Sequence, residues 1–165
     1  MCQKMSEEGG QSVAVSTGCE SGVLLGRHDY ALDPKKRFTI PSEWRGVMGS
    51  VVYVMPDRKE RCLNLYPKAE MDVMLEKLRQ KALLDPALNA IRMKLGAVSQ
   101  QLSLDGQGRI RICDKLLQFA NLTTTVAMVG SFQMIKLYDP TVLGPEDEVN
   151  MEEIDAALTA AGINI

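Results

Sequence analysis

Short runs in which apolar residues alternate with polar ones, punctuated by Gly, Pro and Asp, recur between positions 22 and 138. Tyr30 and Leu32 alternate with polar neighbours, and Phe38 and Ile40 do so again after Asp33-Pro34-Lys35-Lys36. A period of two predicts half-buried strands, so residues 28–40 read as a hairpin with Lys35, Lys36 and Arg37 at its tip. Asp33 and Pro34 suit the turn: the carboxylate accepts nearby backbone N–H groups and the proline ring fixes φ. Val23-Leu24-Leu25 can begin the first strand, with Gly26 allowing a bulge. Pro41-Ser42 opens a short helix through Trp44-Arg45, ended by Gly46 and Gly49. Strands over 51–55 and 62–66 follow, joined by a charged loop over 56–61.

The period then changes. Met71, Met74, Leu75 and Leu78 stand at i, i+3, i+4 and i+7 behind Pro67, which predicts an amphipathic helix. Asp85-Pro86 reads as the cap and first position of a second helix, with Leu88, Ile91 and Leu95 inward and Gly96 at its end. Alternation resumes over 97–104, 109–112, 124–129 and 132–138, with a short helix over 114–119. Gly106 and Gly108 are expected to supply the positive φ values of a tight turn, and Gly130-Ser131 to mark another hairpin. Asn150 with Glu153 makes a capping box for a last helix over 150–161, stopped by Gly162.

Most of this order occurs twice. Leu32-Asp33-x-x-x-Arg37-Phe38-Thr39-Ile40 returns 72 residues later as Leu104-Asp105-Gly106-Gln107-Gly108-Arg109-Ile110-Arg111-Ile112. Val51–Met55 is answered by Thr125–Val129, and Leu63-Asn64-Leu65-Tyr66 by Ile135-Lys136-Leu137-Tyr138. Three matches in one order at a nearly constant offset predict a duplicated β-β-α-β-β unit. The expected division is a disordered tail (1–21), a first repeat with linking helices (22–95), a second repeat (96–140) and an acidic tail with a short helix (141–165).

Charge sharpens the picture once it is divided by region. The whole chain carries −2, but residues 22–140 hold 18 Lys/Arg against 12 Asp/Glu, a surplus of six. Residues 141–165 hold six acids and no base. A basic middle between acidic ends is compatible with a polyanionic partner. Aromatics at 5% are too few for stacking platforms that hold single-stranded nucleic acid. No apolar run reaches the roughly 18 residues of a membrane span, and the first residues lack a signal-peptide core. Cys2, Cys19, Cys62 and Cys113 show no metal-ligand spacing. The expectation is a reduced, cytoplasmic chain with no metal, no cofactor and no membrane partner.

The Asp-x-x-x-Arg hairpin on a β-β-α-β-β unit resembles the AbrB-like swapped-hairpin barrels. Two copies with helices between them resemble the MraZ family. The residues that carry the likeness are Leu32–Pro41 with Arg45, Gly96-Ala97-Val98, Leu104–Ile112, and Met128-Val129-Gly130. The resemblance implies an α+β fold, a double swapped-hairpin β-barrel with interleaved half-barrels, and subunits closed into a homo-oligomeric ring. It also implies a nucleoid-associated transcriptional regulator that binds double-stranded DNA at short repeats upstream of its own division and cell-wall operon. Arg37 would be the leading DNA contact and Arg109 the second. The chain departs from the family pattern at Lys36, where Gly usually precedes the arginine, at Cys113, where Pro is usual, and in its longer acidic tail.

Each candidate also has a plainer reading. Arg37 and Arg109 either reach DNA, for which a two-stranded β-ribbon and a guanidinium are suited, or pair with Asp33 and Asp105 and staple their turns. Lys35 and Lys36 follow Arg37 in either case. Arg111 either reaches a phosphate or faces water. Arg58, Lys59 and Arg61 read as a solvated loop, and the single His28 as a strand histidine, since no triad or zinc partners accompany it. Asp33 and Asp105 open turns, which explains them without catalysis. An antitoxin-like protein-interaction module is the alternative to the DNA-binding reading; no feature supports an enzyme.

Overall fold

The computed structural model describes residues 22–144 and 149–165; the tail over 1–21, expected to lack structure, lies outside them. The first repeat runs β1 (Arg27–Ala31), β2 (Arg37–Thr39), α1 (Ser42–Met48), β3 (Val51–Asp57) and β4 (Cys62–Pro67). Helices α2 (Lys68–Ala82) and α3 (Pro86–Val98) follow. The second repeat is β5 (Gln100–Ser103), β6 (Arg109–Arg111), α4 (Asp114–Phe119), β7 (Thr125–Ser131) and β8 (Met134–Tyr138). Two helices end the chain, α5 (Pro140–Leu143) and α6 (Met151–Ala160).

The mixed α+β class expected from the sequence is present, and the pairing shows how the repeats combine. One antiparallel sheet has the order β1-β7-β8-β4-β3-β5, and a separate two-stranded ribbon joins β2 to β6. Each repeat keeps its own β3–β4 or β7–β8 hairpin and gives its first strand to the other: β1 pairs with β7, β5 with β3. The registers obey an internal two-fold. Phe38 faces Ile110, its own counterpart 72 residues on, and Asn64 faces Lys136, which is likewise its counterpart. Since β1 and β5 are the edges of the large sheet and lead directly into β2 and β6, the ribbon bridges those edges.

One core fills the space between sheet and ribbon. Phe38, Ile40, Trp44, Met48, Val52, Leu63, Leu65, Ile110, Ile112, Leu117, Met128, Ile135 and Leu137 are all buried in a single cluster. Each such side chain contributes about 1.5–3 kcal/mol by leaving water. On the other face of the sheet, Cys62, Ala127 and Tyr138 form a second, small cluster covered by Leu143 of α5. β4 is central and covered on both sides, so it reads as a nearly continuous buried run rather than an alternating one.

Several local expectations change. The sequence 28–40 predicts a hairpin, and its tip closes as one, with Asp33 N–H donating to the Arg37 carbonyl at 2.9 Å. Its arms then diverge into different sheets, because each finds its partner in the other repeat. Gly106 does not adopt positive φ. The turn needs one left-handed residue, its last, and that is Gly108 at φ 74°. The β7–β8 turn is Phe132-Gln133, with Phe132 at φ 60°, so Gly130 lies inside β7. There it allows a close approach: the Leu24 backbone lies against it, with Gly130 N–H donating to the Gly26 carbonyl at 2.8 Å. Gly46 and Gly96 sit inside α1 and α3 rather than at their ends.

Cys113 shows how the proline of the first repeat can be replaced. Pro41 has no N–H to satisfy, whereas the Cys113 N–H donates to the Gln100 side-chain oxygen at 2.9 Å. Of the α2 stripe, Met71 is buried and Leu75 remains exposed; in α3 no residue is buried, so Ile91 is not inward as the periodicity suggested.

Candidate nucleic-acid interface

Both turns are built the same way. The Asp33 carboxylate accepts the N–H groups of Lys35 (2.9 Å) and Arg37 (2.8 Å), and its other oxygen takes the Arg37 Nε–H at 2.7 Å. Asp105 repeats this with Gln107, Arg109 and the Arg109 Nε at 2.9, 2.9 and 2.7 Å. Donation from the Arg37 backbone, and from its guanidinium, holds the Asp33 carboxyl below its usual range. The matching bonds from Arg109 hold Asp105 at about 2. Both turns therefore keep a full negative charge under each arginine at neutral pH.

Stapling and outward presentation coexist. Each arginine meets its aspartate side-on, through Nε alone, and neither terminal nitrogen of Arg37 or Arg109 donates a hydrogen bond within the described residues. Those terminal nitrogens are the pair that forms a fork to phosphate or to a guanine edge. The aspartate fixes the direction of the guanidinium and leaves that pair available.

The ribbon gathers the candidates. Register places Arg37 opposite Arg111 and Thr39 opposite Arg109. Phe38 and Ile110 point into the core, so alternation turns Arg37, Thr39, Arg109 and Arg111 to the opposite, outer face. Arg109, whose turn carries no other cation, thus stands on one face with Arg37 and Arg111. Arg111 donates from Nε to the Lys35 carbonyl at 3.1 Å, which ties the ribbon to the first turn. Lys35 is exposed at that turn, and Lys36 reaches Asp114 at the start of α4, 3.0 Å away.

Arg45 belongs to the motif, yet the sequence assigns it no position in the site. It donates from Nε to the Ile40 carbonyl at 2.9 Å and lays its guanidinium over Gly108, where a Cβ would collide with it. The missing side chain at Gly108 was the signal for this cross-repeat contact. The first turn has no equivalent, because Leu117 occupies the position of Arg45 in the second repeat and Lys36 that of Gly108.

Lys36 holds φ at 57°, the left-handed region that costs a residue with a Cβ roughly 1–2 kcal/mol. Its ion pair with Asp114 is half-exposed on both sides and offsets little of that. Lys36→Gly is expected to raise stability by about 0.5–1 kcal/mol, after allowing for the extra freedom of glycine in the unfolded chain. Thermal melting would show this as a rise of about 2 °C. An unchanged or lower melting temperature would mean that Lys36 makes contacts that offset its strain.

Elsewhere, the lone histidine is structural: Glu43 lies 2.6 Å from its Nε2, and its ring stands edge-on to Trp44. In the 56–61 loop Arg58, Lys59 and Arg61 are exposed, as expected of a solvated loop, and Glu60 joins a polar cluster. Glu60 accepts from Lys136 at 2.8 Å and from the Tyr138 hydroxyl, and these bonds hold its carboxyl below the usual range. Asp57, Glu60 and Cys62 converge there closely enough to hold a metal ion, but the Lys136 ammonium already stands among the carboxylates.

Two strand-exchanging β-β-α-β-β units that share a basic ribbon define the swapped-hairpin class of barrel. Comparison with known proteins names the family within it. Residues 93–142 match the family described as "MraZ protein, putative antitoxin-like". The chain is 31% identical over 136 residues to the transcriptional regulator MraZ of Shigella sonnei, covering 79% of this chain and 87% of that protein. It is 33% identical over 118 residues to that of Tropheryma whipplei (71% and 81%), and 27% identical over 143 residues to that of Clostridium acetobutylicum (86% and 100%). The chain belongs to the MraZ family of transcriptional regulators.

Proposed function

We propose that this protein regulates transcription by binding double-stranded DNA sequence-specifically through the β2–β6 ribbon. The observation that carries the reading is the outer face of that ribbon: three arginines side by side, two of them aimed by a carboxylate and with terminal nitrogens that no described residue occupies. Arg37 and Arg109 are the leading contacts, Lys35, Lys36 and Arg111 supply phosphate contacts, and Asp33, Asp105 and Gly108 set the turns. A two-stranded ribbon fits the major groove, where guanidinium reads guanine bidentately. The repeats 22–95 and 96–140 act as one reading unit because each completes the sheet of the other. The sites are short repeats upstream of the chain's own division and cell-wall operon, and the protein works in the cytoplasm, on the nucleoid.

Assembly into a ring supports this economy. A single ribbon offers few contacts, whereas copies held in register bind repeated sites with raised avidity. Support for assembly comes from the α2–α3 corner, where Leu83 and Leu84 (90% exposed) stand in solvent as apolar side chains that a lone subunit does not cover. Among the described residues no helix is long and apolar enough to cross a membrane.

Binding to the upstream DNA is expected to weaken steeply with salt. The slope of log K against log salt should be about −0.9 for each phosphate neutralised, reaching about −4.5 per subunit if all five cations engage. Fluorescence anisotropy from 50 to 300 mM salt, against a shuffled duplex of equal length, measures it. Equal affinity for both duplexes would overturn the regulator reading at this DNA and favour a protein partner.

A further inference from the structure

The acidic C-terminal helix and an unfilled groove elsewhere on the same chain complement one another. Helix α6 is capped at its start, where the Asn150 side chain accepts the N–H groups of Glu152 and Glu153. Met151, Ile154, Ala157 and Leu158 form one apolar stripe at 100° per residue, and Glu153 and Asp155 flank it on opposite sides. No residue of this helix is buried. A short helix with a solvated apolar stripe has little to hold it together unless the stripe is covered.

The groove lies between the C-terminal half of α3, α4 and the β3–β4 loop, with a volume of about 730 Å³. Ile91, Leu95 and Phe119 line its apolar floor, and Arg58, Lys94 and Lys115 stand around it with no carboxylate among its lining residues. None of these three cations forms an ion pair with the described residues. Apolar floor and cationic rim answer apolar stripe and acidic flanks, in hydrophobicity and in sign of charge.

We propose that α6 of one copy docks in the α3–α4 groove of a neighbouring copy, as an arm that links successive subunits. Each copy carries one arm and one groove. The contact is therefore heterologous, the kind that propagates around a closed ring. The proposal rests on the assembly reading above and is independent of whether the ribbon binds DNA.

Photo-crosslinking of the full chain tests it, with benzoylphenylalanine in place of Leu158. The expected result is a product of twice the chain mass on a denaturing gel, with the crosslink mapped by mass spectrometry to residues 91–98 or 115–119. Lys94→Glu with Lys115→Glu should reduce that product at least fivefold while circular dichroism shows the fold retained. A crosslink confined to the chain's own mass, one that maps elsewhere, or no crosslink in a preparation that sediments as an oligomer would each overturn the docking while leaving the ring intact. A purely monomeric preparation would overturn ring and docking together. Anisotropy with the upstream DNA on the same sample reports separately on the ribbon.

Discussion

Arg37→Ala is expected to lower affinity for the upstream DNA by ten- to hundredfold per reading unit, and by more in an assembly that engages several sites at once. A bidentate guanidinium-to-guanine contact is worth about 1–3 kcal/mol of discrimination, and loss of a phosphate contact lowers the salt slope by about 0.9. The structure separates this functional loss from an unfolding effect. The Asp33 carboxylate still accepts the backbone N–H groups of residues 35 and 37 after the side chain is removed, so the turn keeps its closure. Arg37→Lys sharpens the test. An ammonium keeps the charge and most of the salt slope but cannot both hold Asp33 through Nε and offer a planar fork. Preference for the operator should therefore fall while non-specific binding remains. Wild-type specificity in Arg37→Lys would show that this position acts as a plain positive charge. Undiminished affinity in Arg37→Ala would remove the first turn from the interface.

Gly130→Ala is expected to cause the largest loss of stability, about 2–4 kcal/mol, seen as a fall in melting temperature of about 6–10 °C. A Cβ at position 130 would stand 2.5–2.6 Å from the backbone atoms of Leu24 and Leu25. Main-chain atoms cannot swing aside as a flexible side chain can. The segment must move away from β7, and three hydrogen bonds go with it: Leu24 N–H to the Phe132 carbonyl at 2.9 Å, its return bond at 3.0 Å, and Gly130 N–H to the Gly26 carbonyl at 2.8 Å. Leu24, wholly buried, would leave the core. Gly96→Ala is the matched control. Space around that position is open and its φ is ordinary, so it should gain about 0.5–1 kcal/mol from helix propensity. Equal melting of Gly130→Ala and wild type would mean that residues 22–26 do not belong to the cooperative unit.

Much of this protein was legible in the chain alone. Period-two runs, Gly and Pro punctuation and the capping residues Asp85 and Asn150 act over a few residues, so α4 and the cap of α3 fall where the sequence puts them. The Asp-x-x-x-Arg turn is equally local: one carboxylate satisfies two nearby N–H groups and a guanidinium, all within five residues. Duplication, read from a 72-residue echo, carried the fold class.

Tertiary structure decided the choice of partner. Alternation says that a strand has a buried face but not which strand lies beside it, so the exchange of β1 and β5 between repeats, and the ribbon that unites Arg37, Arg109 and Arg111, appear only in the registers. Strain at Lys36 and the close approach at Gly130 are likewise set by distant chain, since a left-handed φ or a missing Cβ acquires its meaning from what packs against it. The exposed stripes of α3 and α6 make the same point. The i, i+3, i+4 pattern predicts an apolar face but not the surface that covers it, because the hydrophobic effect rewards removal from water whichever surface provides it.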